Sequence, residues 1–263
     1  MIITLCSTDI AWENKAENFK RLDSLLDSLN YKSDVIVFPE MFSTGFTMDV
    51  SLAEDINGES FKWLLGAAAK YKIAIIASFP FKEKNGEEEN IYNRAFFVCP
   101  NGKYFYYDKR HLFRMARENG FYTFGNKHTI IEYRGVRFSL NICYDLRFPV
   151  WSRNIGLKYD VLINVANFPV SRVPIVEPLV RARAIENMAY VAFVNRVGHD
   201  DECEYIPSSF FADYKVNNVG EEITLSNNNV IQIIKGEINI EKLKTFRAAF
   251  PAWMDADDFT ITL

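Results

Sequence analysis

Cys143 is the thiol in this sequence whose surroundings could make it react. It follows the apolar run Phe138-Ser139-Leu140-Asn141-Ile142 and precedes Tyr144-Asp145-Leu146-Arg147-Phe148-Pro149, which reads as a strand turning into a helix. A side chain at such a junction projects from the carboxyl edge of a sheet, beside backbone N–H groups that the new helix leaves unpaired. The competing reading is a buried core cysteine, the ordinary state of a free thiol; Cys6 and Cys99, set inside apolar runs, take that reading. A thiol with a pKa of about 8.5 needs a base or a cation to act as a nucleophile at neutral pH. His128 and His199 lie in polar, loop-like sequence and His111 in a basic run, so a Cys–His pair has no local support. Carboxylates offer more. Glu40 follows Val35-Ile36-Val37-Phe38-Pro39, just past a buried strand, where burial would raise a carboxyl toward the range of a working base. A surface glutamate or a member of a buried ion pair is the plainer alternative. Lys109 closes the aromatic run Tyr104-Phe105-Tyr106-Tyr107-Asp108, and a partly desolvated ammonium there would suit a developing oxyanion. Taken alone, its plainer reading is a solvated lysine. Glu118, in Met115-Ala116-Arg117-Glu118-Asn119-Gly120, says little by itself.

These side chains need elements to bring them together. Residues 2–6 read as a strand, 14–29 as an amphipathic helix with Phe19, Leu22, Leu25, Leu26 and Leu29 on one face, and 35–38 as a buried strand. A helix over 60–70 and a buried strand over 73–79 continue the alternation, the signature of a sheet covered by helices. The middle differs. Strands at 92–98 and 103–108 flank Pro100-Asn101-Gly102, and strands at 130–133 and 136–142 flank Arg134-Gly135, so both pairs read as antiparallel hairpins. Alternation returns with a helix after Cys143, a strand at 161–165, a helix over 173–188 and a strand at 190–195. After Val197 the chain is strand-rich, then helical over 240–250, with an aromatic, acidic tail. A mixed sheet system with helices outside suggests a layered α/β sandwich.

The 263 residues could form one large domain or two small ones. No repeat or Pro/Ser/Gly linker divides them, so a single domain over 1–263 is the simpler expectation. Hydrophobic residues at 49% and charged residues at 24% exclude global disorder. A net charge of −4 offers no broad attraction to phosphate backbones or anionic lipid, which argues against a nucleic-acid or membrane partner. The apolar run 73–81 is too short for a membrane span, and the N-terminus has no basic residue before Lys15, unlike a signal peptide. Four scattered cysteines without a Cys-x-x-Cys pair fit reduced thiols in the cytoplasm and supply no metal knuckle.

Taken together, FPEMF around Glu40, YDKRHLF around Lys109 and NICYDLRFP around Cys143 resemble, in order and spacing, the three signatures of the nitrilase superfamily of carbon–nitrogen hydrolases. TDIAW after the first strand, RARAIENMAYVAFVNRVG at 181–198 and FPAWMDADDF at 250–259 extend the resemblance over nearly the whole chain, and the combination is most similar to the omega-amidase branch. The resemblance implies a four-layer αββα sandwich, a homodimer and no metal or organic cofactor. It implies Glu40 as base, Lys109 and the backbone N–H of Tyr144 as oxyanion donors, Cys143 as nucleophile, and Glu118, seven residues ahead of Gly125, as the second glutamate. The implied substrate is a small amide, a 2-oxo dicarboxylate monoamide such as 2-oxoglutaramate or 2-oxosuccinamate. Arg147, Arg114 and Arg117 are candidates to hold its anionic end, and Phe42, Phe46 and Phe168 to line an apolar wall. For Arg147 a buried pair with an acidic residue is the alternative. Other readings are a different amidase, an N-carbamoyl amino acid amidohydrolase, or an inactive scaffold, against which the intact Glu-Lys-Glu-Cys set argues.

Overall fold

The computed structural model describes residues 1–29, 32–86, 88–223 and 232–262. Along the chain, β1 (Ile2–Ser7) leads to α1 (Lys15–Ser28), which Asn14 caps by accepting from the Glu17 N–H, and then to β2 (Val35–Val37). Helix α2 (Glu59–Tyr71) precedes β3 (Ala74–Asn85), β4 (Glu88–Val98) and β5 (Tyr104–Asp108). Next come β6 (Ile130–Tyr133), β7 (Val136–Ile142), β8 (Val161–Ala166), α3 (Val176–Asn187) and β9 (Tyr190–Asn195). The short strands β10 (Gly198–His199), β11 (Glu204–Tyr205), β12 (Phe210–Ala212) and β13 (Gly220–Ile223) follow, then β14 (Gln232–Glu237) and α4 (Ile240–Ala249). Part of the strand-rich stretch expected after Val197, residues 224–231, lies outside the described residues.

Two sheets carry the site. One has the order β13-β14-β1-β2-β3-β4-β5, the other β12-β9-β8-β7-β6. Strands β1, β2 and β3 run parallel, as do β7, β8 and β9, whereas β4-β5 and β6-β7 are the antiparallel hairpins expected from the turn residues, and β3-β4 is a further antiparallel pair that the sequence reading did not foresee. The two-residue period of a strand divides the core. Ile3, Leu5, Val35, Val37 and Ile76 point to the second sheet, with the rings of Phe97 and Phe138 5.3 Å apart, while Cys6, Ile36, Ile75 and Ala77 point to α1 and α2. Val180 and Ala184 of α3 and Leu243 of α4 cover the outer face of the second sheet. The result is a four-layer αββα sandwich. Each fully buried Leu, Ile or Phe in it adds about 1.5–3 kcal/mol of apolar transfer free energy.

Three local expectations need correction. Residues 143–147 make one 3-10 turn and no α-helix, because Pro149 disfavours the helical conformation of its predecessor and Phe148 is extended (φ −107°, ψ 95°). The α-helix expected from residue 173 begins at Val176, after a 3-10 stretch that contains Pro174. Strands β3 and β4 run past the expected ends at 79 and 92, pairing from Ile75 opposite Val98 to Asn85 opposite Glu88. The outer part of that ladder, where exposed Lys84 pairs with exposed Glu89, extends beyond the core, since backbone pairing does not require burial.

Candidate active site

The termini of four strands converge. Cys143 directly follows β7 and Lys109 directly follows β5; Glu40 lies three residues beyond β2, and Asn167 comes just after β8. The turn after β2 is pinned to β3: the Met41 N–H donates to Ser78 Oγ (2.9 Å) and the Phe42 N–H to the Ser78 carbonyl (3.0 Å). Met41 (φ +47°) and Cys143 (φ +49°) both hold the left-handed conformation, which costs a non-glycine residue about 1–2 kcal/mol. Asp145 fixes the second of these turns. Its buried carboxylate accepts from the Ile142 N–H (3.0 Å), the Tyr107 hydroxyl (2.7 Å) and the His111 N–H (2.9 Å), with His111 Nδ1 at 2.7 Å. One side chain thereby ties the turn bearing Cys143 to the strand end bearing Lys109.

Glu40, Lys109 and Glu118 are completely buried and in contact. Lys109 Nζ lies 2.8 Å from Glu40 Oε1, 3.0 Å from Glu118 Oε1 and 2.9 Å from Glu118 Oε2. Glu40 Oε2 accepts from the Asn167 N–H at 3.0 Å, and Glu118 Oε2 from the Phe113 N–H at 2.5 Å. Burial works against the Lys109 ammonium, but the facing carboxylates of Glu118 and Glu40 outweigh it and hold the group charged above its ordinary range. Burial raises the Glu118 carboxyl, Lys109 opposes the rise and Glu40 adds to it. Cys143, 8% exposed, lies close enough to Glu40 and Lys109 for both charges to act on its thiol. Burial pushes its thiol well above the usual value and the Glu40 charge adds to this, while Lys109 pulls the other way. At rest burial therefore keeps the sulfur protonated. Burial likewise raises the Cys6 thiol, which sits in the helix-facing apolar core.

Of the expected substrate-facing residues, Phe46 is at the site, its ring 5.0 Å from Lys109 Nζ. Phe42 is not: it packs in the helix-facing core with Phe38, Trp63 and Phe79, because Met41 turns the chain and sends the next side chain outward. Phe168 is 2% exposed, packs on Phe193 (5.5 Å), and has its backbone held by the Asn195 side chain, so it is core as well. Arg147 is exposed and has no ion pair among the described residues, so the buried acidic pairing considered for it falls to Asp145 and His111 instead. Arg114 and Arg117 are exposed. Arg114 borders a cavity of about 410 Å³ that Tyr144 and Phe148 also line.

The sequence reading missed Asn93, Asp145, Asn167 and Arg172. Asn93 Nδ2 donates to Glu40 Oε1 (2.7 Å) and Glu118 Oε1 (3.2 Å). It had no distinct signal in the sequence, since β4 also carries Glu88, Glu89, Asn90 and Arg94. Half-buried Arg172 lies 4.2 Å over the Phe113 ring, which meets Tyr144 edge-on at 5.1 Å, and it makes no salt bridge among the described residues. Among the described residues no group of three or more His, Cys, Asp or Glu side chains is arranged to hold a metal ion, and no helix is long and apolar enough to cross a membrane.

A thiol, a lysine and two glutamates meet at the strand ends of this sandwich, and the chain belongs to the carbon–nitrogen hydrolase family, with residues 2–248 matched. It is a hydrolase of carbon–nitrogen bonds. Omega-amidase YafV of Escherichia coli K12 is 39% identical over 260 residues, 98% of each chain. The 2-oxoglutaramate amidase of Bacillus subtilis 168 is 28% identical over 257 residues, 96% of each. XC1258 of Xanthomonas campestris, a CN-hydrolase superfamily protein whose crystal structure carries an arsenic adduct in its active site, superposes with a TM-score of 0.90 at 34% identity, covering 100% of this chain and 99% of that one.

Proposed function

We propose that the chain is an omega-amidase, releasing ammonia from the terminal amide of a 2-oxo dicarboxylate monoamide through a thioester on Cys143. The observation that carries this is the fully buried Glu40–Lys109 pair, Nζ to Oε1 2.8 Å, whose charges both act on the Cys143 thiol. Glu40 accepts the thiol proton, and the sulfur attacks the amide carbonyl. Lys109 Nζ and the backbone N–H of Tyr144, heading its short turn, stabilise the tetrahedral oxyanion. Protonated Glu40 gives its proton to the departing nitrogen, ammonia leaves, and the thioester remains. Glu40 then activates water to release the acid, while Glu118 holds Lys109 in place. The chain acts as one domain, and a homodimer in the cytoplasm belongs to the same reading, since exposed Met115, Phe124 and Val150 would favour an apolar contact.

The second, anionic end of the substrate falls to Arg172. A guanidinium stacked on an aromatic ring is partly desolvated and oriented, so it holds a carboxylate more firmly than the solvated Arg114, Arg117 or Arg147. Ammonia release across 2-oxoglutaramate, 2-oxosuccinamate, glutamine, asparagine, N-carbamoyl-β-alanine and butyramide tests the function, and the two 2-oxo amides are expected to give the highest kcat/KM. Preference for N-carbamoyl-β-alanine or butyramide would overturn it. In Arg172→Gln the KM for 2-oxoglutaramate should rise about tenfold or more, the loss of one charge-assisted contact, with kcat little changed and butyramide unaffected. An equal loss on both substrates would remove Arg172 from this role. Turnover is also expected to survive EDTA; loss with EDTA and recovery with Zn²⁺ would contradict the metal-free mechanism.

A further inference from the structure

The side chain of Asn93 touches the same two carboxylate oxygens as the Lys109 ammonium. Its Nδ2 lies 2.7 Å from Glu40 Oε1 and 3.2 Å from Glu118 Oε1, against 2.8 and 3.0 Å for Lys109 Nζ. Among the described residues these are the two side chains that bond both glutamates. Because both partners are acceptors, only the NH₂ end of the amide fits there, which fixes its orientation. The other end, Oδ1, is buried without a hydrogen-bond partner among the described residues. Packing alone would favour leucine here, which has nearly the same shape and no acceptor to leave unpaired.

We propose that Asn93 is a positioning residue of the site, clamping Glu40 and Glu118 with one amide nitrogen and keeping the carboxylate pair free to accept the thiol proton. This rests on Glu40 acting as the base. Two carboxylates and one ammonium, all fully buried, carry one uncompensated negative charge when all are ionised. The amide supplies neutral N–H donors to that excess charge without adding a titrating group. Among the described residues, the other ionisable groups acting on the pair include the Cys143 thiol at the end of β7 and Tyr122, which has Asp49 near it. Arg94, next along β4, engages Asp108 and Glu83 on the opposite face of the strand. Without Asn93 the pair loses a shared donor and takes up a proton more readily, and a protonated base cannot receive the thiol hydrogen.

The test is the pH dependence of Asn93→Leu and Asn93→Ser, read in two ways: kcat/KM for 2-oxoglutaramate, and the rate at which iodoacetamide alkylates Cys143 without substrate. With Asn93 replaced, kcat/KM should fall about tenfold or more near pH 6 and recover to within about threefold near pH 9, the acid limb having moved to higher pH. The alkylation profile should move the same way. A loss by one factor at every pH, in either variant that remains folded by circular dichroism, would make Asn93 a packing residue and overturn the proposal; so would unchanged profiles. If no amide is hydrolysed even by the unaltered protein, the functional reading fails separately, while the alkylation profiles still decide the role of Asn93. Serine, smaller and polar, covers the case in which leucine does not fold.

Discussion

Replacing Cys143 with alanine is expected to reduce ammonia release to background, with the thermal midpoint little changed. The substitution deletes one sulfur at the mouth of the site, where Cys143 is 8% exposed, so little packing is lost. The left-handed backbone at this position comes from the Asp145 bonds to Ile142, Tyr107 and His111, none of which involves the sulfur. Cys6→Ala and Cys99→Ala should behave in the opposite way. Both remove core volume and lower stability, yet retain turnover, because burial raises both thiols and both lie away from the Glu40–Lys109–Glu118 cluster. Activity measured beside circular dichroism on each variant separates these outcomes. A folded, fully active Cys143→Ala protein would remove the nucleophile from the mechanism.

The two glutamates should respond differently to the same isosteric change. Both contact Lys109, but it is Glu40 whose charge acts on the Cys143 thiol, and its second oxygen is aimed by the Asn167 N–H. Glu40→Gln keeps the shape and cannot accept a proton, so acylation should slow by about a hundredfold or more. Glu118 reaches Lys109, Asn93 and the Phe113 N–H, none of which exchanges a proton with substrate in this mechanism. Glu118→Gln should therefore still bind and acylate, with its defect falling on the orientation of Lys109 and on deacylation. Single-turnover rates of ammonia release against hydrolysis of the acyl-enzyme distinguish them. A trapped acyl adduct in Glu40→Gln with near-normal turnover in Glu118→Gln would reverse the two roles.

What could be read from the sequence was local. Glu40 and Cys143 stand at the ends of apolar strands, and hydrophobic spacing alone placed those strands, so the residues leaving them could be singled out. The parallel and hairpin segments followed from turn residues and from the period of burial. Asn93 was not legible, because its meaning lies in contacts with Glu40, 53 positions earlier, and Glu118, 25 later. Asp145 was hidden for the same reason, its hydroxyl donor being Tyr107, 38 positions away. Arg172 was passed over because stacking on Phe113 depends on two loops meeting, which no periodicity encodes. The error at Phe42 was a matter of direction: one left-handed residue, Met41, decides which face the next side chain takes.

The central claim is that acyl transfer passes through a covalent bond to Cys143. Glu118→Gln protein mixed with 2-oxoglutaramate, quenched in acid during turnover and digested, should show the acyl group on the peptide that carries Cys143 and on no peptide carrying Cys6, Cys99 or Cys203. Release of ammonia with no acylated peptide at any time, or with the acyl group on another cysteine, would contradict it.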